Sequence, residues 1–162
     1  MGEDSDGGLS VGVRSGKSVS HAPSKESCSA STYYGRLLQD GDMEFFKELK
    51  HPDGESRERY AIWEGKPLPH GQWIGMKFVV YNIDEDQHVK LELYRDLSEG
   101  VNGGDWEKIG ETIDKGGWGA AHDGEYPSEF ILVGGGVVHL KNEVEVSDPR
   151  SKHFSVREIF AK

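Results

Sequence analysis

Apolar and polar residues alternate along two runs on either side of an acidic turn, and this alternation predicts the most regular element of the chain. The first run, Trp73–Tyr81, has a wholly apolar side made of Ile74, Met76, Phe78 and Val80. The second run, Val89–Arg95, has the matching set Val89, Leu91 and Leu93. A period of two in β-branched and aromatic residues is typical of β-strands, and the polar segment Asn82–His88 fits the turn of an antiparallel hairpin. We therefore predict a hairpin at the centre of a β-sandwich, with both apolar sets facing the core. Trp73 lies on the other side of the first run, and we expect it to be buried as well.

Shorter runs of the same kind recur along the rest of the chain, separated by residues that favour turns. Asp40-Gly41 is a strong hairpin signal between two of these runs, and three consecutive glycines, Gly134–Gly136, predict a bend between two others. Any helix is expected to be one or two turns near Pro127–Glu129. The further predicted strands are Leu9–Val13, Thr32–Leu38, Met43–Leu49, Tyr60–Trp63, Trp106–Asp114, Phe130–Val133, Val137–Lys141 and Phe154–Phe160. This pattern predicts an all-β fold, an antiparallel β-sandwich.

Length and composition bound the domain organisation. The chain has 162 residues, which suits one domain with a real core. Residues 1–8 are acidic and rich in glycine, so we expect a disordered N-terminal tail followed by a single β-sandwich domain over residues 9–162. Cys28 is the single cysteine, and it can form neither an internal disulfide nor a paired-cysteine metal motif.

The charge of the chain bears on its partners. The formal net charge is −10, which argues against binding to nucleic acid and to anionic membranes. No apolar run approaches the roughly 20 residues of a membrane-spanning helix. The first residues do not resemble a signal peptide. Localisation therefore stays open: extracellular if an upstream leader has been removed, and cytoplasmic otherwise. The oligomeric state is not indicated by the sequence.

The richest candidate site lies in the hairpin formed by Thr32–Leu38 and Met43–Leu49. Alternation places Tyr34 and Arg36 on one face of the first strand, and Glu44, Phe46 and Glu48 on one face of the second. Aromatic rings can stack on the C–H faces of a sugar while arginine and carboxylates bond its hydroxyls. A half-exposed Arg36 would contribute little stability by its charge. The alternative is a solvated strand pair with cross-strand Arg–Glu bonds.

Catalysis on this hairpin would need further groups. A β-elimination requires a cation to neutralise a uronate and a tyrosine or histidine to move protons. Residues of these types in and beside the hairpin are Tyr34, Arg36, Lys47 and His51. Whether the protein is an enzyme stays open at this point.

Two other features are candidates for ligand binding. Trp118 lies between glycines in a long loop and could serve as a stacking platform for a ligand. Asp84, Glu85 and Asp86 offer oxygen donors to calcium, but they lack the Asp-x-Asp-x-Asp-Gly order of a helical calcium loop. A solvated turn is the other interpretation of this cluster. We therefore expect no cofactor, with calcium as the alternative.

Three stretches resemble a known superfamily. The hairpin Trp73–Asp96 resembles that of concanavalin A-like lectin and glucanase domains. Phe154–Ile159 is similar to the last strand of the jelly rolls of polysaccharide lyases, and Arg36–Lys47 resembles a strand pair of the concave sheet of the same class. The resemblance implies a concanavalin A-like jelly roll that is similar to polysaccharide-lyase domains and binds sugar on its concave sheet.

The catalytic motifs of these relatives are not found in the chain. It has no Glu-x-Asp-x-x-Glu strand and no Gln-Ile-His strand, so the resemblance assigns no catalytic residue. The leading hypothesis is a carbohydrate-binding β-sandwich that recognises a polysaccharide or oligosaccharide through Tyr34, Arg36, Glu44, Phe46, Glu48 and Trp118. The alternatives are a polysaccharide lyase or glycoside hydrolase on the same fold, and a non-enzymatic interaction or structural module.

Overall fold

Two antiparallel β-sheets make up the fold. The structure is a computed structural model that describes residues 7–15, 32–48, 58–63, 66–118, 131, 133–134, 136–142, 146 and 148–159. The strands are β1 (Gly8–Ser15), β2 (Thr32–Leu38), β3 (Met43–Glu48), β4 (Glu58–Trp63), β5 (Gly75–Ile83), β6 (His88–Asp96), β7 (Trp106–Asp114) and β8 (Val137–Asn142). A short 3₁₀ turn, Val101–Gly103, precedes β7. The predicted all-β sandwich is confirmed.

The larger sheet has five strands in the order β4-β3-β2-β1-β8. Strands β2 and β3 form the hairpin predicted from Asp40-Gly41, and Gly41 has a φ of 92°, a conformation that glycine adopts without steric cost. Strand β1 lies between β2 and β8, so the sheet joins segments that are distant in sequence. Gly7 is buried and accepts a backbone hydrogen bond from Gln39, and β1 begins at Gly8, so these two residues do not belong to the expected tail. Residues 1–6 lie outside the described ranges.

The smaller sheet has the order β5-β6-β7 and contains the predicted central hairpin. Val80 pairs with Leu91 and Phe78 with Leu93, so the two apolar sets lie on one face, as the alternation predicts. The register of β6 with β7 shifts between Leu93 and Tyr94. Ile109 is the extra residue of this bulge, which explains how it joins the core from a strand of mostly polar residues.

The core lies between the two sheets. It contains Tyr33, Leu37, Met43 and Phe45 from the larger sheet, Val89, Leu91, Leu93 and Ile109 from the smaller one, and Trp118. The sheets approach closely where a glycine faces a large ring, since a Cβ atom on Gly35 would lie 2.8 Å from the ring of Phe78. In the described part of the chain, no helix is long and apolar enough to cross a membrane.

Several local predictions are wrong. Trp73 is 37% exposed and precedes β5, because the ladder to β6 begins only at Gly75. Residues 154–159 form no strand and are exposed, so the expected pairing of Phe154–Phe160 is not found in the described part of that segment. Ile131 and Val133 are likewise not in a strand. Other predictions fall outside the described residues: those on Cys28, Leu49, His51, Pro127–Glu129 and Phe160.

Candidate functional site

Five of the predicted site residues share one face of the larger sheet. In the β2–β3 ladder Tyr34 lies opposite Phe46, and Arg36 lies opposite Glu44. Glu48 lies on the same face, opposite Thr32. This face, called here the polar face, is turned away from the core, because the alternate residues of the same strands face the smaller sheet.

Hydrogen bonds and ring contacts connect these side chains. Arg36 donates to a carboxylate oxygen of Glu44 at 2.9 Å, and the hydroxyl of Tyr34 donates to Glu48 at 2.9 Å. The rings of Tyr34 and Phe46 stack with centroids 4.5 Å apart, and the guanidinium of Arg36 lies 5.1 Å from the centroid of Phe46. The side chains are therefore held in fixed positions, as a preorganised recognition surface requires.

His139 of β8 completes the network and was not predicted as a site residue. Its Nε2 atom lies 3.1 Å from the Tyr34 hydroxyl, and its Nδ1 atom lies 3.3 Å from the hydroxyl of Ser15. The ring lies against Gly12, where a Cβ atom would overlap it. A glycine inside a strand is a signal for such a close approach. The partner could not be predicted, because it depends on the long-range pairing of β1 with β8.

The electrostatic environment of His139 favours the neutral imidazole. Burial lowers the pKa of His139 below its usual value, and the negative charge of Glu48 opposes this shift. A neutral ring can accept a proton at one nitrogen and donate at the other. Tyr34 and His139 therefore form a hydrogen-bonded pair of a hydroxyl and a neutral imidazole.

Burial differs across the polar face. Tyr34 and Arg36 are each 6% exposed and Phe46 is 2% exposed, so the centre of this face is not an open groove. His139 and Lys141, on the edge strand β8, are only half-buried and reach solvent. The expectation of a half-exposed Arg36 is wrong, since Arg36 and Glu44 form a buried ion pair.

Trp118 and Lys47 lie on the opposite face of the sheet. Trp118 is 1% exposed and meets the ring of Tyr33 edge to face, with centroids 6.0 Å apart. Lys47 donates to Asp114 at 2.7 Å, and the hydroxyl of Tyr33 donates to the same carboxylate oxygen at 2.5 Å. Trp118 is thus part of the core instead of an accessible platform, and Lys47 cannot act beside Tyr34.

The acidic turn between β5 and β6 does not gather its carboxylates at one point. Asp84 bonds to His88 at 2.6 Å, whereas Asp86 accepts a hydrogen bond from the amide of Asn82 at 2.8 Å. All three acidic residues of the turn have positive φ angles. Among the described residues no group of three or more His, Cys, Asp or Glu side chains is placed to hold a metal ion.

The outer face of the smaller sheet is an accessible surface with aromatic residues. The ammonium of Lys77 lies 4.3 Å from the ring centroid of Tyr94 and 4.6 Å from that of Trp106. Beside them, Glu92 and Glu111 each contact Lys90 and Lys108. A shallow depression at the end of β7, bounded by Glu111–Ile113 and Lys115–Gly116, contains none of the predicted site residues.

Comparisons with known proteins do not assign the chain to a family. No protein-family model matches it, and neither a curated protein nor a solved structure gives a significant match. The function must therefore be argued from the polar face itself.

Proposed function

We propose that the domain binds carbohydrate through the polar face of the five-stranded sheet. The observation that carries this proposal is the convergence of Tyr34, Arg36, Glu44, Phe46 and Glu48 with His139 in one hydrogen-bonded network. The imidazole of His139 and the ammonium of Lys141 reach solvent beside the Tyr34 hydroxyl and can bond sugar hydroxyls, while the stacked rings of Tyr34 and Phe46 hold that hydroxyl in place.

The gradient of burial suggests separate roles for the residues of the network. The buried pair Arg36–Glu44 and the ring of Phe46 support the inner side of the site. Tyr34 and His139 connect this support to the edge at β8, where a sugar can approach from solvent. We therefore place the first sugar contacts at His139, Lys141 and the hydroxyl of Tyr34.

The test is a glycan array followed by titration of the best ligand against wild type and Tyr34→Phe. Losing the hydrogen bond of the Tyr34 hydroxyl to the sugar should cost about 0.5–1.5 kcal/mol, or about 2- to 12-fold in Kd. Because Glu48 also loses this donor, the melting temperature of Tyr34→Phe is measured alongside to show that the variant folds. Arg36→Ala is a poorer probe, because it leaves Glu44 buried without its cation and should destabilise the fold.

Tyr94→Phe is the matched control. Its hydroxyl also donates to a glutamate, Glu92 at 3.0 Å, but it lies on the outer face of the other sheet. We expect Tyr94→Phe to bind like wild type. If Tyr34→Phe kept full affinity, or if both variants lost affinity equally, the polar face would not be the site. If no glycan bound, the chain would instead be an interaction or structural module.

As a second candidate function, we propose a polysaccharide lyase that uses the same face. The observation that favours it is the contact of 3.1 Å between the Tyr34 hydroxyl and Nε2 of His139. A tyrosine and a neutral histidine can remove and return a proton, and the ammonium of Lys141, on the same edge strand as His139, could neutralise a uronate. A lyase would release unsaturated products that absorb in the ultraviolet, and His139→Gln should abolish them. Binding without such products would leave the domain a binding module.

A further inference from the structure

Residues 148–159 form a segment with a strand pattern but no strand partner among the described residues. Phe154 and Val156 alternate with Ser155 and Arg157, yet every residue from 148 to 159 is exposed. Phe154 is 56% exposed and Val156 is 61% exposed. Exposed apolar side chains grouped in this way mark a surface that another molecule covers.

Strand β5 offers an edge that such a segment fits. Among the described residues β5 pairs only with β6, and every β5 residue is half-buried. The neighbouring strand β6 has Val89, Leu91 and Leu93 at 0% exposure. An extended segment added to β5 would pair its outer backbone groups and cover Phe78 and Val80 on the core side.

The charges determine the direction of the added strand. Residues 148–159 carry three basic and two acidic side chains, a net charge of +1 in a chain of −10. Near the start of the segment Arg150 is paired with Asp148 at 2.7 Å, so Lys152 supplies the excess positive charge there, and the exposed carboxylates of Asp84, Glu85 and Asp86 follow the last residue of β5. Antiparallel pairing brings these opposite charges together, whereas parallel pairing separates them.

Within one chain the first residues of the segment lie near the start of β5, whereas antiparallel pairing would require them to lie near its end. The ammonium of Lys152 lies 4.3 Å from the ring centroid of Trp73, just before β5 begins at Gly75. The acidic turn lies beyond the other end, about 26 Å away at roughly 3.3 Å per residue. A second copy of the chain has no such constraint.

We propose that residues 148–159 dock as an antiparallel strand on the outer edge of β5 in a second copy of this chain. The exchange is reciprocal, so one two-fold axis relates two identical contacts and the assembly closes as a dimer. In each contact Phe154 and Val156 extend the core face, and Lys152 lies beside the acidic turn of the partner.

The test is sedimentation velocity of the full chain over a range of concentrations. We expect a dimer for wild type. Val156→Asp places a charge in the contact and should weaken self-association about tenfold or more, whereas Ser155→Asp adds the same charge on the other side of the strand and should have a much smaller effect. Circular dichroism and thermal melting check that both variants fold.

A charge exchange tests the direction of the strand. Lys152→Glu should weaken the dimer, and adding Glu85→Lys to the same chain should restore it. Hydrogen exchange should show protected amides in β5 of wild type that become exposed in Val156→Asp. A monomer at all concentrations would overturn the proposal. This holds even if hydrogen exchange showed that residues 148–159 are protected, because they would then pair within their own chain. A dimer that Val156→Asp leaves intact would overturn it as well.

Discussion

Ammonium and carboxylate groups pair at two places that differ greatly in solvent exposure. One is the Lys47–Asp114 pair in the core, and the other is the lysine–glutamate cluster on the outer face of the smaller sheet. Lys47 and Asp114 bridge the two sheets, with side chains 1% and 0% exposed. On the outer face Lys108 contacts Glu111 at 2.5 Å, but these side chains are 42% and 46% exposed. The two pairs therefore have similar nitrogen–oxygen distances but differ greatly in exposure to water.

This difference decides what each cluster contributes. Water screens the outer cluster and can replace either partner, so such pairs contribute little. In the core, the ammonium of Lys47 lies 5.8 and 5.6 Å from the ring centroids of Tyr33 and Trp118, and water cannot solvate a charge left alone there. The core pair need not make the fold more stable than an apolar pair would, but removing one partner strongly lowers the free energy of unfolding.

The largest effect is expected from Lys47→Met. Asp114 would keep its hydrogen bonds from Tyr33 and from the backbone N–H of Gly116, but its buried charge would lose the lysine. We expect a loss of about 3–5 kcal/mol in the free energy of unfolding, measured by urea denaturation. Lys108→Met on the outer face is the control and should cost at most about 1 kcal/mol. Equal losses in the two variants would show that burial does not change how much an ion pair contributes to the free energy of unfolding.

Phe78→Ala tests how β5 joins the same core. Phe78 is only partly buried, but it packs on the core and stacks with Phe45, with centroids 6.1 Å apart. We expect a loss of about 3 kcal/mol, the lower end of the range for phenylalanine, because the edge of β5 is half open. Leu93→Ala on β6 is the reference from the closed part of the core. A loss below about 1 kcal/mol for Phe78→Ala would contradict its inward orientation.

Local patterns predicted most strands, because the side-chain period of two is visible in residues that are adjacent in the sequence. The alternation in β2 and β3 also placed Tyr34, Arg36 and Glu44 on one face and Lys47 on the other, as the ladder shows. Trp118 was misplaced, since its glycine neighbours predict a loop but not the contact with Tyr33 that buries it.

Long-range pairing is what the sequence did not reveal. His139 joins the site only because β8 pairs with β1, although 124 positions separate it from Ser15. The exposure of residues 148–159 has the same origin, because alternation predicts a strand but does not say which edge it pairs with.

Asp96 is a buried carboxylate, 1% exposed, that hydroxyl and backbone donors stabilise. Its carboxylate accepts hydrogen bonds from the Ser98 hydroxyl at 2.6 Å and from the backbone N–H groups of Ser98, Gly100 and Asp105. The Ser98 hydroxyl is the main cause that lowers the pKa of Asp96 from 3.8 to about 2, while burial opposes the shift.

The sign of the pH effect follows from that lowered pKa. The folded protein binds this proton less readily than the unfolded chain, so Asp96 stabilises the fold above about pH 4, and this contribution is lost as the pH falls towards about 2. Asp96→Asn should lower Tm at pH 7 and flatten the fall of Tm between pH 4 and pH 2. An unchanged slope in that interval would show that the loop does not hold a charged carboxylate.

Glu111→Gln should give the smallest effect and completes the contrast with Lys47. Glu111 contacts Lys108 at 2.5 Å and Lys90 at 3.2 Å, and the hydrogen bond from Lys108 is the main cause that lowers the pKa of Glu111. Because these groups are exposed to water, we expect a loss of only about 0.2–1 kcal/mol. Since mobile ions screen exposed charges, the loss should shrink further in 1 M salt, while the loss caused by Lys47→Met should persist. Unfolding of both variants in urea at low and high salt measures this difference, and a cost for Glu111→Gln that did not change with salt would mean that the outer cluster acts through packing instead of charge.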